Sequence, residues 1–164
     1  MAFILNAERT ESVAECFPRY RKYLEEVGDR MPPSAHELAT SDWYFNFSEH
    51  RCPHDAWLRS VTISDSGDTG EKPECVSIRV RLLAAYHDGI IEFHYPQVVR
   101  YQLGAIGINQ GHRDWRYDEF RLSDDGLVIH EIEWSGPCET ARWVIEAKDV
   151  FYHWFPVDAG GSLA

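Results

Sequence analysis

The sequence contains no CxxC pair, no phosphate-binding loop, no dinucleotide fingerprint and no long apolar run. Each absence excludes a class. Four cysteines, Cys16, Cys52, Cys75 and Cys138, lie far apart, without the spacing of a zinc ribbon or a thioredoxin-like redox motif. An even count permits disulfides, but nothing marks the chain as secreted: the opening Met-Ala-Phe-Ile-Leu-Asn-Ala-Glu-Arg has too short an apolar run for a signal peptide. No stretch approaches the ~18 apolar residues of a membrane span. Reduced thiols, a cytoplasmic location and no membrane partner are expected. Basic residues are also scarce, 16 Lys and Arg against 27 Asp and Glu, for a net charge of −11. That balance opposes nucleic acid and anionic membranes and is compatible with a basic protein partner. No internal repeat or low-complexity segment interrupts the chain.

What is abundant is aromatic. Six Trp, eight Tyr and eight Phe in 164 residues can fill one sizeable core, and rings favour pleated surfaces. The first forty residues read as helix and loop. Val13, Cys16, Phe17, Tyr20, Tyr23, Leu24 and Val27 recur at three- and four-residue steps, one apolar stripe ending at Gly28. Pro18 would break an interior turn, so the spacing predicts a helix starting near Phe17. A second short helix is expected from Ser34, an N-cap candidate, through Leu38.

From Asp42 the period changes to two. Strands are expected at Trp43–Phe47, Trp57–Ile63, Val76–Leu82, Ile91–Tyr95, Val99–Leu103, Trp115–Leu122, Val128–Trp134, Ala141–Ala147 and Val150–Phe155. Asp88-Gly89 and Asp125-Gly126 are two-residue hairpin signals. Trp115 and Tyr117 lie on odd positions and Phe120 and Leu122 on even ones, which predicts a bulge at Asp118-Glu119. The polar stretches 64–74 and 104–113 read as loops. The connections are too short for crossover helices. The expectation is therefore an α+β, β-rich fold: an N-terminal helix, then an antiparallel meander of about eight or nine strands forming a curled sheet, half-barrel or sandwich. One domain spans 1–157, helical over 1–40 and β over 42–156, with a flexible tail at 158–164.

Chemistry concentrates at Glu49-His50-Arg51-Cys52-Pro53-His54-Asp55. His50, Cys52 and His54 are ligand types for a transition metal, though their spacing matches no familiar zinc pair. Cys52 beside His50 or His54 is also a candidate nucleophile pair, and a rigid turn with Asp55 bonded to backbone amides is the structural alternative. His130 shares strand parity with Val128, Ile132 and Trp134, so it points with the apolar side chains and must be hydrogen-bonded there. Glu131 and Glu133, at i and i+2, face the other way: an acid–base pair or an exposed strand face. Arginines beside rings (Arg100, Arg113, Arg116, Arg142) read as stems packed across strands rather than a nucleic-acid track. No cofactor motif is present, and none is expected.

The segment Cys52-Pro53-His54-Asp55-Ala56-Trp57-Leu58, followed by Ser60-Val61-Thr62-Ile63, resembles small bacterial domains of the immunity-protein type, in which a His-Asp-Ala segment opens the first strand of a β meander. Asp114-Trp115 and His130-Glu131-Ile132 are of similar character. The resemblance implies a domain that neutralises a cognate toxin by binding it, without catalytic residues. Residues 114–158 hold eleven acidic and four basic side chains. With the resemblance, this favours a non-enzymatic protein-binding domain whose contacts fall among Asp114, Asp118, Glu119, Glu131, Glu133 and Glu139. The alternative is a small-molecule barrel or an enzyme whose aromatic pocket presents His54, Asp55, His94 and His130. A third reading is a homodimer through a sheet edge or aromatic patch.

Overall fold

Helix α1 (Val13–Val27) lays Cys16, Tyr20, Leu24 and Val27 into the core, as the stripe predicts. The computed structural model describes residues 2–5, 13–66, 75–104, 111–135 and 140–157. The helix starts earlier than expected and contains Pro18 in its interior. Pro18 is exposed and close to the first turn, so it forfeits one backbone bond where water replaces the partner. A 3₁₀ turn (Gly28–Arg30) leads to α2 (Pro33–Thr40). Ser34 lies inside α2 and is not its N-cap. The cap comes from far along the chain: Asp149 accepts from the amides of Ser34 (3.3 Å) and Ala35 (3.0 Å).

Seven strands follow, β1 (Trp57–Ser66), β2 (Cys75–Leu83), β3 (Gly89–Leu103), β4 (Asp114–Leu122), β5 (Val128–Ser135), β6 (Thr140–Ala147) and β7 (Phe151–Pro156), all antiparallel. Two of the expected strands disappear. The segment Trp43–Phe47 is a chain of turns, with Tyr44 N–H bonded to Ser41 C=O and Asn46 N–H to Trp43 C=O, and it buries Tyr44, the opposite phase to that expected. Ile91–Tyr95 and Val99–Leu103 fuse into the single β3, which carries a bulge at Pro96-Gln97. Gln97 sits at φ 48°, and beyond it Val98 turns inward while Val99 and Tyr101 face out. The bulge expected at Asp118-Glu119 falls at Arg116, between the pairs Trp115↔Trp134 and Tyr117↔Glu133.

The pairings run β3-β2-β1-β4-β5-β6 and return to β3, a ring closed between β1 and β4 by one bridge, Trp57↔Asp114. Below this bridge the edge of β4 is covered by α1. The Tyr20 hydroxyl accepts from Phe120 N–H (2.7 Å) and donates to Phe120 C=O (3.0 Å), and the Tyr23 hydroxyl accepts from Leu122 N–H (2.8 Å). Two tyrosines thus stand in for a missing strand. Inside the ring, Phe93 stacks on Trp115 (5.1 Å between centroids) and Trp134 packs on Trp143 (4.9 Å). β7 continues the line of β6 along β3, so β3 has β2 on one side and β7 then β6 on the other.

The two hairpin signals resolve differently. Gly126 adopts φ +77°, the left-handed conformation its turn requires. At the other hairpin the left-handed residue is His87 (φ 59°), and Gly89 is needed for space: a Cβ there would lie 2.1 Å from the Trp154 ring.

Candidate functional site

Inside the ring, five side chains join in one buried hydrogen-bond network. Asp118 and His130 point inward from the adjacent strands β4 and β5, Asp118 opposite Ile132 and His130 opposite Phe120. The Asp118 carboxylate accepts from the Tyr44 hydroxyl (2.7 Å), Trp115 Nε1–H (3.0 Å) and His130 Nε2 (2.9 Å), while His130 Nδ1 meets the Tyr95 hydroxyl at 2.7 Å. Burial lowers the His130 pKa against the opposing pull of Asp118, and burial raises that of Tyr95. The imidazole is therefore neutral, with its proton on Nε2 toward Asp118 and Nδ1 accepting from Tyr95. Every member is satisfied and fully or nearly fully covered by protein, so the network fixes the core's geometry and presents no group to a ligand. Tyr44 and Tyr95 were missed from sequence. Tyr95 shares inward parity with Phe93, a usable signal; Tyr44 lies in the turns and gave none.

The carboxylates expected to form a docking face are mostly internal. Glu119 Oε2 accepts from three successive amides, Phe3 (2.9 Å), Ile4 (2.7 Å) and Leu5 (3.2 Å), which straps the N-terminal segment across the outside of β4. Burial pushes the Glu119 pKa up, against the pull of those amides and of Arg121, whose Nε lies 3.1 Å from Oε1 as an ion pair without hydrogen-bond alignment. Glu131 pairs with Arg121 and with Arg142 (2.8 Å), and Arg142 also reaches Glu133 (3.1 Å) and the Leu5 carbonyl (2.8 Å). Asp118, Glu119 and Glu133 are buried and Glu131 is half-buried, so the acidic contact face expected through them is not presented: their carboxylates are bonded within the fold. Glu139 lies outside the described residues. Asp114 is half-buried and accepts from Trp57 Nε1–H at 2.9 Å.

The Glu49–Asp55 cluster does not converge. His50 Nδ1 pairs with Asp88, and its ring stacks on Tyr86 (4.1 Å). Cys52 Sγ–H donates to the Tyr44 carbonyl (2.9 Å), and burial pushes the thiol pKa up to about 12. His54 Nδ1 bonds the Arg116 carbonyl, and burial lowers its pKa. Among the described residues no three His, Cys, Asp or Glu side chains are grouped to hold a metal ion. The metal set His50, Cys52 and His54 is thus not assembled, and a buried, protonated Cys52 is no nucleophile. Asp55, at φ 60°, pairs with Arg116 (3.3 Å) and lies 3.6 Å from His54 Nε2. His94 is elsewhere, on the outer face of β3 opposite Arg79 and Phe151. The pocket of His54, Asp55, His94 and His130 is therefore not formed.

What the cluster does build is a rim of exposed rings. Phe47, Trp57 and Tyr86 are 43%, 47% and 51% exposed, yet each is held. Phe47 stacks on His54 (4.0 Å, 16° between planes), Tyr86 on His50 (11°), and Trp57 contacts His87 (4.6 Å) while bonded to Asp114. A bulge at Arg59 breaks the alternation of β1, so that Leu58 and Val61 pack against the core and Trp57 faces outward. Residues 47–57 and the hairpin residues 86–88 thus form one strip at the β1 end of the ring, with Arg116 near the Tyr117 ring at one side. Compared with protein-family models, curated proteins and solved structures, the chain matches none. No helix among the described residues is long and apolar enough to cross a membrane.

Proposed function

We propose that this is a non-enzymatic protein-binding domain and that the rim Phe47–Trp57–Tyr86 is its contact surface. The observation that carries the proposal is the pre-arrangement of three exposed rings by stacking and hydrogen bonding. Trp and Tyr anchors dominate interface energetics, and rings already held in place lose little freedom on binding. The internal consumption of His130, Cys52 and the buried carboxylates supports it further, because those groups are unavailable for catalysis. A net charge of −11 favours a cationic partner, and the resemblance at His54-Asp55-Ala56 suggests that the partner is a toxin and the role immunity-like.

Photo-crosslinking tests this. A benzophenone amino acid at position 57 or 86 is expected to capture one partner in the native host, and the same group at the exposed Val99, on β3 away from the rim, is expected not to. Equal capture from all three positions refutes the assignment.

A second reading rests on a groove of about 520 Å³ between α1 and the segment Ala39–Asn46, with Phe17, Tyr20, Leu24 and Phe45 in its wall. That volume lies within the usual range of small-molecule sites. Thermal-shift screening tests it: a ligand of this groove raises the melting temperature, and the rise disappears in Asn46→Trp, which fills the groove from its exposed wall.

A further inference from the structure

Among the described residues three strand edges are open, and two of them are protected. The edge of β4 is bonded to Tyr20 and Tyr23 of α1. β1 beyond Trp57 carries Arg59 and Asp65, charges of the kind that discourage strand addition. β7 differs. It pairs only with β3, and its six residues Phe-Tyr-His-Trp-Phe-Pro include no carboxylate, lysine or arginine.

The hydrogen-bonding phase of β7 follows from its end. Val157 N–H bonds Asp88 C=O (2.8 Å), so in this antiparallel register Phe155, His153 and Phe151 exchange their bonds with β3. Tyr152 and Trp154 consequently direct their N–H and C=O groups to the open side, where no backbone partner lies among the described residues. Pro156, which has no N–H, falls in that same open phase, where edge prolines belong. Beside β7 lies a cleft of about 270 Å³ walled by Leu38 and Glu37 of α2, Trp43, Phe151 and Tyr152. Glu37 is exposed at this wall.

We infer that β7 and α2 together take an extended cationic segment of a partner protein, added as an eighth strand on β7. An edge strand beside a helix is a recurrent way to capture peptides: main-chain bonds supply affinity, and alternate side chains enter the cleft. Six strand residues span about 20 Å, room for a guest of five or six residues. One set of its alternate side chains faces Leu38 and Trp43 and is apolar. Glu37 and the overall charge of −11 select Lys or Arg in the rest. The inference rests on the protein-binding assignment but uses the strand edge and its cleft, which adjoin the rim without including its three rings.

The probe is an eight-residue peptide library with Val, Ile or Leu at odd positions and Lys or Arg at even positions, titrated against the full chain. Binding is expected, together with slowed hydrogen exchange at the amides of Tyr152 and Trp154. N-methylation of the peptide amides in one phase is expected to weaken it about tenfold or more, through loss of two or more main-chain bonds, while the other phase is tolerated. Glu37→Lys weakens binding and Trp57→Ala leaves it unchanged. Absence of binding, indifference to N-methylation in both phases, or protection of amides other than those of β7 overturns the inference. If benzophenone at position 57 captures a partner while the peptides fail, the rim assignment stands and the β7 site falls.

Discussion

Replacing Asp118 with alanine is the sharpest structural perturbation this fold offers. The carboxylate is the common acceptor for the Tyr44 hydroxyl, Trp115 Nε1–H and His130 Nε2–H, all at 2.7–3.0 Å and all buried. Asp118→Ala leaves three donors without a partner, each costing about 1–3 kcal/mol. A void of about 10 Å³ lies beside Asp118, between Cys52 and Tyr117, and with the space freed by truncation it admits about one water, which relieves part of that cost. The expected loss is about 3–5 kcal/mol, a large share of a stability on the order of 5–15 kcal/mol. For a chain of this size that corresponds to a melting point lower by about 10–15 °C. Tyr44→Phe removes one donor and leaves the carboxylate two, so about 1 kcal/mol is expected. Urea denaturation followed by circular dichroism measures both. A loss under 1 kcal/mol for Asp118→Ala would refute the claim that the network organises the core.

Three further outcomes follow from the same geometry. His130 and His54 are held neutral by burial, with pKa values below the ordinary ~6.5. The unfolded chain therefore binds more protons between the two pKa values, and stability is lost as pH falls below about 6.5, at up to about 1.4 kcal/mol per pH unit for His130; a flat stability between pH 7 and 5 contradicts the assignment of neutral histidines. Gly126→Ala forces a Cβ into a left-handed turn and costs about 1 kcal/mol. Gly89→Ala drives a Cβ into Trp154 and is expected to cost more; denaturant midpoints check the order. Cys52, buried and with its thiol pKa near 12, is expected to react with iodoacetamide more slowly than the half-buried Cys75 in the native protein, a difference that peptide mass mapping detects and that vanishes in denaturant.

The period-two pattern made the β-rich class legible because the central part of β2 and the first half of β3 each bury one face cleanly. Strand number was less legible. Pro96 looks like a strand end, but an edge-tolerant bulge carries β3 through it, and Trp43–Phe47 alternates like a strand while folding as turns. Both depend on tertiary contacts that local pattern does not encode. The capping of α2 by Asp149 was invisible for the same reason. The acidic residues misled because charge in a sequence carries no record of its partners. Glu119 is bonded to backbone amides 114–116 positions away, and Glu131 is paired with arginines of two other strands. His130 was legible as a buried, bonded imidazole from parity alone. The rim was half visible: the cluster at 49–55 drew attention to the right segment, but for its nucleophile and ligand types rather than for the rings it positions.

The central claim is that function lies on the exposed rings and not on the buried polar groups. Its most direct measurement is the affinity of the partner captured at position 57 for wild type and for Trp57→Ala, with thermal midpoints recorded alongside. A loss of about 2 kcal/mol, roughly 30-fold in Kd, with a midpoint within about 2 °C of wild type is expected of an anchoring ring. Unchanged affinity in Trp57→Ala, or an equal loss in Val99→Ala, would contradict it.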